Sequence, residues 1–350
     1  MQKLIYCPNY SSFLKPYINN TLDLLKDNAT VYSASEDIEG RVIFDSKLEY
    51  LYSANDPRLY SSYLNELKDN NIFETGLILR LTHPEYLYFD LTTRENFDKK
   101  IILTLFAFEL FSTSPARRKV IELISKLECI EKIIIHSIEG INCSLPNDFN
   151  DFDYDMSKFI FLDEPLYEDE NLYSIKKNAN NAKDKLIGLY FGNMFYGKGV
   201  DILLEAASHL PDNIEIVIAG NMKSSNFDLK YDKYKNIKMI DKFFSEEEMI
   251  TQFIDCDFVI LPYRKTYIHG TSGVFVQANR AGKPIVVPEF PPFGSLVKKY
   301  KNGLYFEPED SKDLARAIIE LCKNKTYFAK NTVKYISQLT SWDNFIKEID

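Results

Sequence analysis

The chain has 350 residues, of which 45% are hydrophobic and 27% charged, the balance of a folded globular protein. This length suits two α/β domains of ordinary size better than one large core. The formal net charge of −9 argues against a general nucleic-acid binder, because a phosphate backbone attracts a basic surface.

The cysteines and the first residues of the chain indicate the cellular compartment of the protein. The five cysteines are scattered without a CxxC pair, which predicts reduced thiols in a reducing compartment. The start MQKLIYCPNY lacks the basic and apolar regions of a signal peptide, and no apolar run approaches the roughly 18 residues of a membrane span. We therefore expect a cytoplasmic protein. Contact with the inner face of a membrane and the oligomeric state stay open.

In the first half, short apolar runs alternate with amphipathic stretches, a pattern typical of parallel β/α units. The predicted strands are 3–7, 30–33, 41–44, 76–81, 101–106, 132–136 and 158–162. The predicted helices are 13–26, 58–68 and 115–127. In the last of these, Val120, Ile121, Ile124 and Leu127 recur at helical spacing, so one face should be buried.

The second half repeats the alternation more clearly. Its predicted strands are 186–191, 214–219, 237–240, 258–261 and 284–287. Ser245 and Glu248 form a capping box that should begin one of the intervening helices. The acidic, Asn-rich stretch between the halves has weak periodicity and indicates a linker. We therefore predict a domain over 1–165, a linker over 166–185, a second domain over 186–335 and a final helix over 336–350.

Glycine is concentrated in the second half, where ten of the 13 glycines lie. Because glycine permits tight turns and close backbone approach to a ligand, we expect phosphate binding there. In LYFGNMFYGKGVDILLEA, residues 189–206, a strand leads through a glycine-punctuated loop into a helix. Backbone amides of such a loop and the positive helix end favour a phosphate, and Lys198 adds a full charge. A plain turn with a solvated lysine is the alternative.

The second candidate segment is LPYRKTYIHGTSGVFVQANRAGKPIVV, residues 261–287. It follows the carboxyl end of a predicted strand, which is where open α/β sheets bind ligands. Ser272 can cap the next helix, and Gly273 lets a diphosphate approach its bare amides. Arg264 is the best bidentate phosphate partner nearby, with a surface ion pair as the alternative.

Taken together, the second half resembles the donor domain of the retaining "group 1" family (family 4) of GT-B glycosyltransferases. The match is carried by four pieces in order: the glycine loop at 191–199, IAG at 218–220, the LPY-to-GKPIVV block, and NGLYFEPEDSKDLARAI. The first half is similar in topology only. The resemblance implies two facing Rossmann-like domains with parallel sheets and an interdomain cleft. It also implies that Trp342 belongs to a helix that returns to the first domain.

The resemblance implies a donor site formed by the residues of both segments. We expect it to contain Gly192, Asn193, Lys198, Gly220, Lys242, Phe243, Arg264, His269, Thr271, Ser272, Gly273 and Gln277. Lys198 and Arg264 would neutralise charge on the leaving diphosphate, and the nucleobase would rest near Lys242 and Phe243.

Three positions depart from the family pattern. Asn193 stands where the family has arginine, and His269 and Gln277 stand where it has two glutamates eight residues apart. Gln277 can still hydrogen-bond a ribose, and His269 can donate to a sugar or to the leaving phosphate.

The acceptor side is less readable. His83 and Glu109 are candidate acceptor contacts, although structural roles are favoured for His83 and for His136. The DFDYD run at 151–155 could suggest a DxD metal site, but its acidic, Asn-rich surroundings favour a solvated face. We expect no metal and no cofactor beyond a nucleoside diphosphate sugar, which is the donor substrate.

We therefore predict a metal-independent glycosyltransferase that transfers a sugar to a hydroxyl of a glycan, lipid-linked or protein acceptor. Two alternatives remain: a catalytically degenerate partner subunit that binds a glycan, supported by the three departures, and a nucleotide-sugar epimerase of the same two-domain form. Donor hydrolysis by the pure protein would argue against the first alternative, and conversion of donor without acceptor would indicate the second.

Overall fold

A computed structural model of the chain describes residues 2–7, 17, 20–21, 24–25, 29–33, 58–79, 81, 83–106, 114–137, 151–163, 185–221, 234–267, 272–336 and 342–349. Contacts divide the chain into two compact units. The first comprises Met1–Glu168 and Thr340–Asp350, and the second comprises Asp169–Leu339.

The first unit contains a six-stranded parallel sheet of order β2-β1-β3-β4-β5-β6. Its strands are β1 Gln2–Cys7, β2 Ala29–Ser33, β3 Phe73–Ile78, β4 Lys100–Phe106, β5 Ile130–Ser137 and β6 Phe159–Asp163. Its helices are α1 Arg58–Asp69, α2 Pro84–Thr93 and α3 Pro115–Ser125. The predicted strand 41–44 and most of the predicted helix 13–26 lie outside the described residues.

Alternation along the strands gives this sheet two apolar faces. Leu4 and Tyr6 pack into one core with α1 and α2, while Ile5 points into the other. The second core is covered by Tyr17 and by the final helix, whose Trp342 and Phe345 are buried there.

The second unit also contains a six-stranded parallel sheet, of order β12-β11-β10-β7-β8-β9. Its strands are β7 Leu186–Phe191, β8 Ile214–Gly220, β9 Ile237–Asp241, β10 Phe258–Ile260, β11 Ile285–Pro288 and β12 Gly303–Phe306. Its helices are α4 Val200–Ala207, α5 Glu246–Asp255, α6 Gly273–Arg280, α7 Phe293–Tyr300, α8 Ser311–Lys323 and α9 Lys325–Ile336, and α10 Trp342–Ile349 belongs to the first unit. The capping box of Ser245 and Glu248 is present at the start of α5.

The prediction of an α/β fold with parallel sheets is confirmed, whereas one strand position is wrong. We expected a strand at 76–81 with Gly76 at its start, but β3 ends at Ile78. Gly76 lies inside the strand because Tyr63 and Leu67 of α1 occupy the space where a side chain would stand. Helix α2 was not predicted. Its aromatic-rich sequence PEYLYFDLTT hides the helical pair Leu87 and Leu91, which is buried.

Candidate functional site

The order of the second sheet puts a switch point between β7 and β10, because the chain runs outward from β7 in one direction and from β10 in the other. Open α/β sheets bind ligands outside the carboxyl ends of the strands at such a point. Two loops begin there, and we name them by residue. The β7 loop comprises residues 192–199, and the β10 loop comprises the described residues 261–267. Both loops lie within the two segments that the sequence singled out, 189–206 and 261–287.

The β7 loop lies directly against the ends of the neighbouring strands. The Gly192 amide donates to the Ala219 carbonyl (2.9 Å), and the Lys242 amide donates to the Gly220 carbonyl (3.1 Å). Gly220 has φ +155°, and a Cβ at this position would collide with the Gly192 carbonyl oxygen. Glycine at 220 therefore lets the strand ends approach backbone to backbone.

Lys198 lies in the β7 loop, at the carboxyl ends of the central strands. It ends a short 3₁₀ helix, Tyr196–Lys198, that leads through Gly199 into α4. A Cβ at Gly192 would lie 3.0 Å from the Lys198 ammonium and 3.9 Å from Val274 in the first turn of α6. Gly192 therefore adjoins both the Lys198 ammonium and the first turn of α6.

The surroundings of the Lys198 ammonium are aromatic. Its Nζ lies 5.6 Å from the ring centroid of Tyr263 and 5.7 Å from that of Phe195. Burial lowers the pKa of Lys198 to about 8. No carboxylate within the described part of the chain forms an ion pair with it. A partly desolvated cation of this kind is suited to receive an anion.

The start of α6 supplies a second anion-binding element. Ser272 is the N-cap: its Oγ accepts from the Phe275 amide (3.3 Å) and lies 3.0 Å from the Tyr263 hydroxyl. Gly273 is the first helical residue, and Gln277 lies one turn further along the same face. The positive end of α6 thus lies beside Lys198. His269 and Thr271 precede this helix and lie outside the described residues.

Arg264 has protein partners. Its Nη1 donates to the Tyr196 carbonyl (2.7 Å) and to Asp201 Oδ1 (3.0 Å), and its Nη2 donates to Asp201 Oδ2 (2.6 Å). Nε lies 3.8 Å from Glu309 Oε2, and the guanidinium lies 4.0 Å from the centroid of the Tyr196 ring. The guanidinium thus makes its bidentate contact with the Asp201 carboxylate, where the sequence suggested a phosphate. A phosphate contact of Arg264 stays a prediction.

The remaining donor-side residues lie at the ends of β7 and β9. Asn193 is exposed, and its carbonyl accepts from the Tyr190 hydroxyl (3.4 Å). Lys242 pairs with Glu248 Oε1 (2.5 Å), whereas the Phe243 side chain is 75% exposed. Phe243 therefore has a free ring face, and Lys242 is already engaged.

The acceptor candidates belong to the first unit. His83 precedes α2, after the carboxyl end of β3, and its Nδ1 lies 3.3 Å from Glu85 Oε1. Glu109 lies outside the described residues. His136 is fully buried, with its Nε2 2.8 Å from the Tyr17 hydroxyl, which fits the structural role favoured for it.

Two carboxylates of the DFDYD run have protein partners. Asp153 pairs with Lys126 (2.8 Å), and Asp155 accepts from the Ser157 hydroxyl (2.6 Å). Across the described residues, no group of three His, Cys, Asp or Glu side chains could hold a metal ion. None of the described helices is long and apolar enough to cross a membrane.

Two features of the site were missed by sequence reasoning. Tyr263 faces Lys198 and contacts Ser272, and Asp201 takes the guanidinium of Arg264. Tyr263 could have been noticed because it ends the LPY run that follows β10. Asp201 gives no such signal, because an acidic residue in the first turn of a helix is common for capping reasons alone.

The two parallel sheets, with glycine loops at the switch point of the second, define the α/β class of GT-B proteins. In agreement, the structure superposes on Anabaena HepE, crystallised with UDP and glucose, with a TM-score of 0.69 and 16% identity over 100% of this chain and 98% of that one. Residues 173–338 match the family model of glycosyl transferases group 1. This match covers nearly the whole of the second unit, Asp169–Leu339.

Curated relatives agree with this assignment. An uncharacterised glycosyltransferase of Methanocaldococcus jannaschii is 29% identical over 43% of this chain and 42% of its own length. The N,N'-diacetylbacillosaminyl-diphospho-undecaprenol alpha-1,3-N-acetylgalactosaminyltransferase of Campylobacter jejuni is 25% identical over 49% of this chain and 45% of its own length. The matched regions thus span less than half the length of these two relatives.

Proposed function

We propose that the protein transfers a sugar from a nucleoside diphosphate sugar to an acceptor hydroxyl, with the donor diphosphate bound between Lys198 and the start of α6. The observation that carries this proposal is the Lys198 ammonium, which is partly desolvated, faces aromatic rings and adjoins a helix start at the switch point. A diphosphate would replace the water that this cation has lost.

The transfer breaks the bond between the sugar C1 and the diphosphate oxygen and forms a bond from C1 to the acceptor oxygen. The leaving diphosphate takes the electron pair of the broken bond, so negative charge grows on it, and it then accepts the proton that the acceptor hydroxyl loses. Lys198 and the amides at Gly273 would stabilise that charge, so no metal is required at this step. Retention at C1, and hydrogen bonds from His269 and Thr271 to the donor, belong to this proposal.

The comparisons support the substrate class. HepE holds UDP and glucose, and the Campylobacter relative is named for transfer onto a lipid-linked diphosphate sugar. A uridine diphosphate sugar is therefore the first donor to test. A glycan or a lipid-linked glycan is the acceptor class that we propose. Phe243, whose ring is exposed after β9, would stack on the nucleobase.

The decisive experiment is calorimetric titration of the protein with UDP, GDP, ADP and dTDP, followed by the Lys198→Ala variant. We expect Lys198→Ala to weaken binding by ~1.5–3 kcal/mol, or roughly 10- to 150-fold, the scale of a charged hydrogen bond. Lys238→Ala, which removes an exposed lysine from β9, is the matched control and should bind as the wild type does. Equal affinity of the folded Lys198 variant and the wild type would remove Lys198 from the site.

A second candidate function is a binding subunit without transferase activity. It is favoured by Asn193 and Gln277, and by His269, at positions where the family resemblance implies arginine and glutamates. Hydrolysis of a nucleotide sugar by the pure protein would contradict this candidate. Nucleotide binding without hydrolysis or transfer, across a panel of acceptors, would favour it.

A further inference from the structure

Arg264 joins the two loops of the candidate site. Its backbone amide donates to the Gly197 carbonyl (2.9 Å), and its Nη1 donates to the Tyr196 carbonyl (2.7 Å). Both acceptors belong to the 3₁₀ turn that presents Lys198. One residue of the β10 loop therefore holds two consecutive carbonyls of the β7 loop.

A backbone contact reinforces this connection. Gly199 has φ +61°, and a Cβ at this position would collide with the carbonyl oxygen of Pro262. The two loops thus touch at Gly199 and Pro262 and are hydrogen-bonded at Gly197 and Arg264. The position of Lys198, which lies between Gly197 and Gly199, depends on that contact.

The contacts of the Arg264 guanidinium within the protein leave it little freedom to bind a ligand. The Arg264 side chain is 7% exposed, and each of its two terminal nitrogens donates to Asp201 in the first turn of α4. The Tyr196 ring covers its face at 4.0 Å. To reach a phosphate, the guanidinium would have to leave a bidentate carboxylate partner and expose that carboxylate beside an anionic ligand, which is unfavourable.

We propose that Arg264 is a positioning residue: paired with Asp201, it fixes the β7 loop so that Lys198 is presented to the donor diphosphate, and it does not bind the phosphates itself. This inference rests on the proposed function. It assigns to Asp201, which carries the wrong charge to bind a phosphate, an indirect part in donor binding.

The Asp201→Asn variant separates the two roles of Arg264. If Arg264 binds phosphate directly, removing its carboxylate competitor should leave the affinity for UDP unchanged or raise it. If Arg264 positions the loop, the same change should weaken UDP binding by about tenfold, the scale of a charged hydrogen bond. Asp212→Asn is the control. Asp212 lies in the turn before β8, at the amino ends of the strands and away from the site, so this variant removes an equal charge and should not alter UDP binding.

Two further measurements test the route through Lys198. In a Lys198→Ala background, Asp201→Asn should cause little additional loss, because the residue being positioned is gone. Arg264→Lys keeps the charge but cannot reproduce the bidentate pair, so it should weaken binding about as much as Asp201→Asn. Melting temperatures of all variants confirm that the second unit is folded.

Amide hydrogen exchange of the peptide that contains residues 192–199 reports on the loop without a ligand. Asp201→Asn should speed its exchange at least several-fold, while β7 and β8 keep the wild-type rates. If no nucleoside diphosphate binds the wild type, the proposed function fails, and this exchange measurement still decides whether the pair fixes the loop. Unchanged exchange, unchanged or tighter UDP binding in Asp201→Asn, or additive losses with Lys198→Ala would each overturn the inference.

Discussion

At the scale of single residues, the environment of Lys198 gives the site its chemical character. The ammonium is surrounded by Tyr263, Phe195 and the Gly192 backbone, and burial brings its pKa down to about 8. Burial also holds the pKa of the Tyr263 hydroxyl well above its ordinary value, so that this group stays neutral and cannot neutralise the lysine. The charge of Lys198 therefore depends on pH just above neutrality.

This lysine predicts a pH dependence of nucleotide binding. The protonated form binds the diphosphate, so affinity should be constant below the pKa and fall by up to tenfold per pH unit above about 8. The phosphates raise the pKa of Lys198 in the complex, so proton uptake on binding should accompany the fall. Calorimetry between pH 6.5 and 9.5 in buffers of different ionisation enthalpy measures both quantities.

Lys198→Arg is the control for this titration. Arginine stays protonated throughout that range, so the fall above pH 8 should disappear even if the affinity itself changes. The phosphate groups of the ligand do not account for the fall, since their second ionisation is nearly complete by about pH 7. A wild-type profile that is flat to pH 9.5 would show that Lys198 does not carry the binding charge.

The carboxylates of the DFDYD run predict metal independence at the same scale. Asp153 is paired with Lys126, and Asp155 is bonded to Ser157, so binding a cation would break both interactions. We expect transfer or hydrolysis of the donor to persist in excess chelator. Complete loss with chelator, and recovery with Mn²⁺ or Mg²⁺, would contradict this and identify the run as a metal ligand.

At the scale of elements, the β7 loop and the beginning of α4 depend on one glycine. Two features require glycine at position 199: a left-handed backbone conformation and direct contact with the Pro262 carbonyl. Comparison with a second glycine separates their effects on stability. Gly282 has a similar φ of +66°, but a Cβ there would meet only Val333 at 3.8 Å. A side chain at Gly199 would therefore meet both backbone strain and the Pro262 carbonyl, whereas a side chain at Gly282 would meet backbone strain alone.

We expect Gly282→Ala to lower the free energy of unfolding by about 1–2 kcal/mol, the penalty for a side chain in the left-handed region. Gly199→Ala should lower it further by about 1–3 kcal/mol, because the added methyl group forces the two loops apart. Chemical denaturation of the two variants measures the difference. Equal losses in both variants would mean that the loops separate without cost.

The start of α6 shows how an element end can be predicted locally. Ser272 caps the helix as its sequence position suggested, because a serine before an apolar helical pattern satisfies the first free amides. Strand β12 was not predicted, since GLYF is short and begins with a glycine. It forms because Gly303 lies against the Ile285 backbone at the edge of the sheet.

At the scale of the whole molecule, the chain ends by completing the unit in which it begins. Helix α10 packs Trp342 and Phe345 onto Tyr17 and His136 of the first unit. The Lys132 ammonium also donates to the Glu348 carbonyl (2.5 Å). The stability of the first unit therefore depends on residues more than 200 positions away in sequence.

We expect Phe345→Ala to destabilise the first unit by about 3–5 kcal/mol, because it removes a fully buried ring from a packed cluster. Trp342 is the single tryptophan of the chain, so its fluorescence during denaturation reports this unit directly. Phe89→Ala on α2, where the ring is 67% exposed, is the control and should shift the transition little. A Phe345 variant as stable as this control would mean that α10 does not support the unit.

The sequence by itself determined the alternation of strands and helices, the two glycine-bearing segments of the second half and their family resemblance. These properties are local, because apolar periodicity, capping residues and glycine positions can be recognised from residues that are close in sequence. They placed Gly192, Lys198, Ser272 and Gly273 in one predicted site. They also left the partner of Arg264 open between a phosphate and a carboxylate.

Only the tertiary structure decided which segments are neighbours. The pairing of β7 with β10, 70 residues apart between Ile187 and Asp257, brings the two loops together, and the contact of Arg264 with Asp201 follows from it. Local propensity does not specify such pairs, because sheet order and buried ion pairs depend on the packing of the whole unit. The charge of Lys198 is decided there too, since its burial beside Tyr263 and the ends of the strands lowers its pKa from the ordinary value.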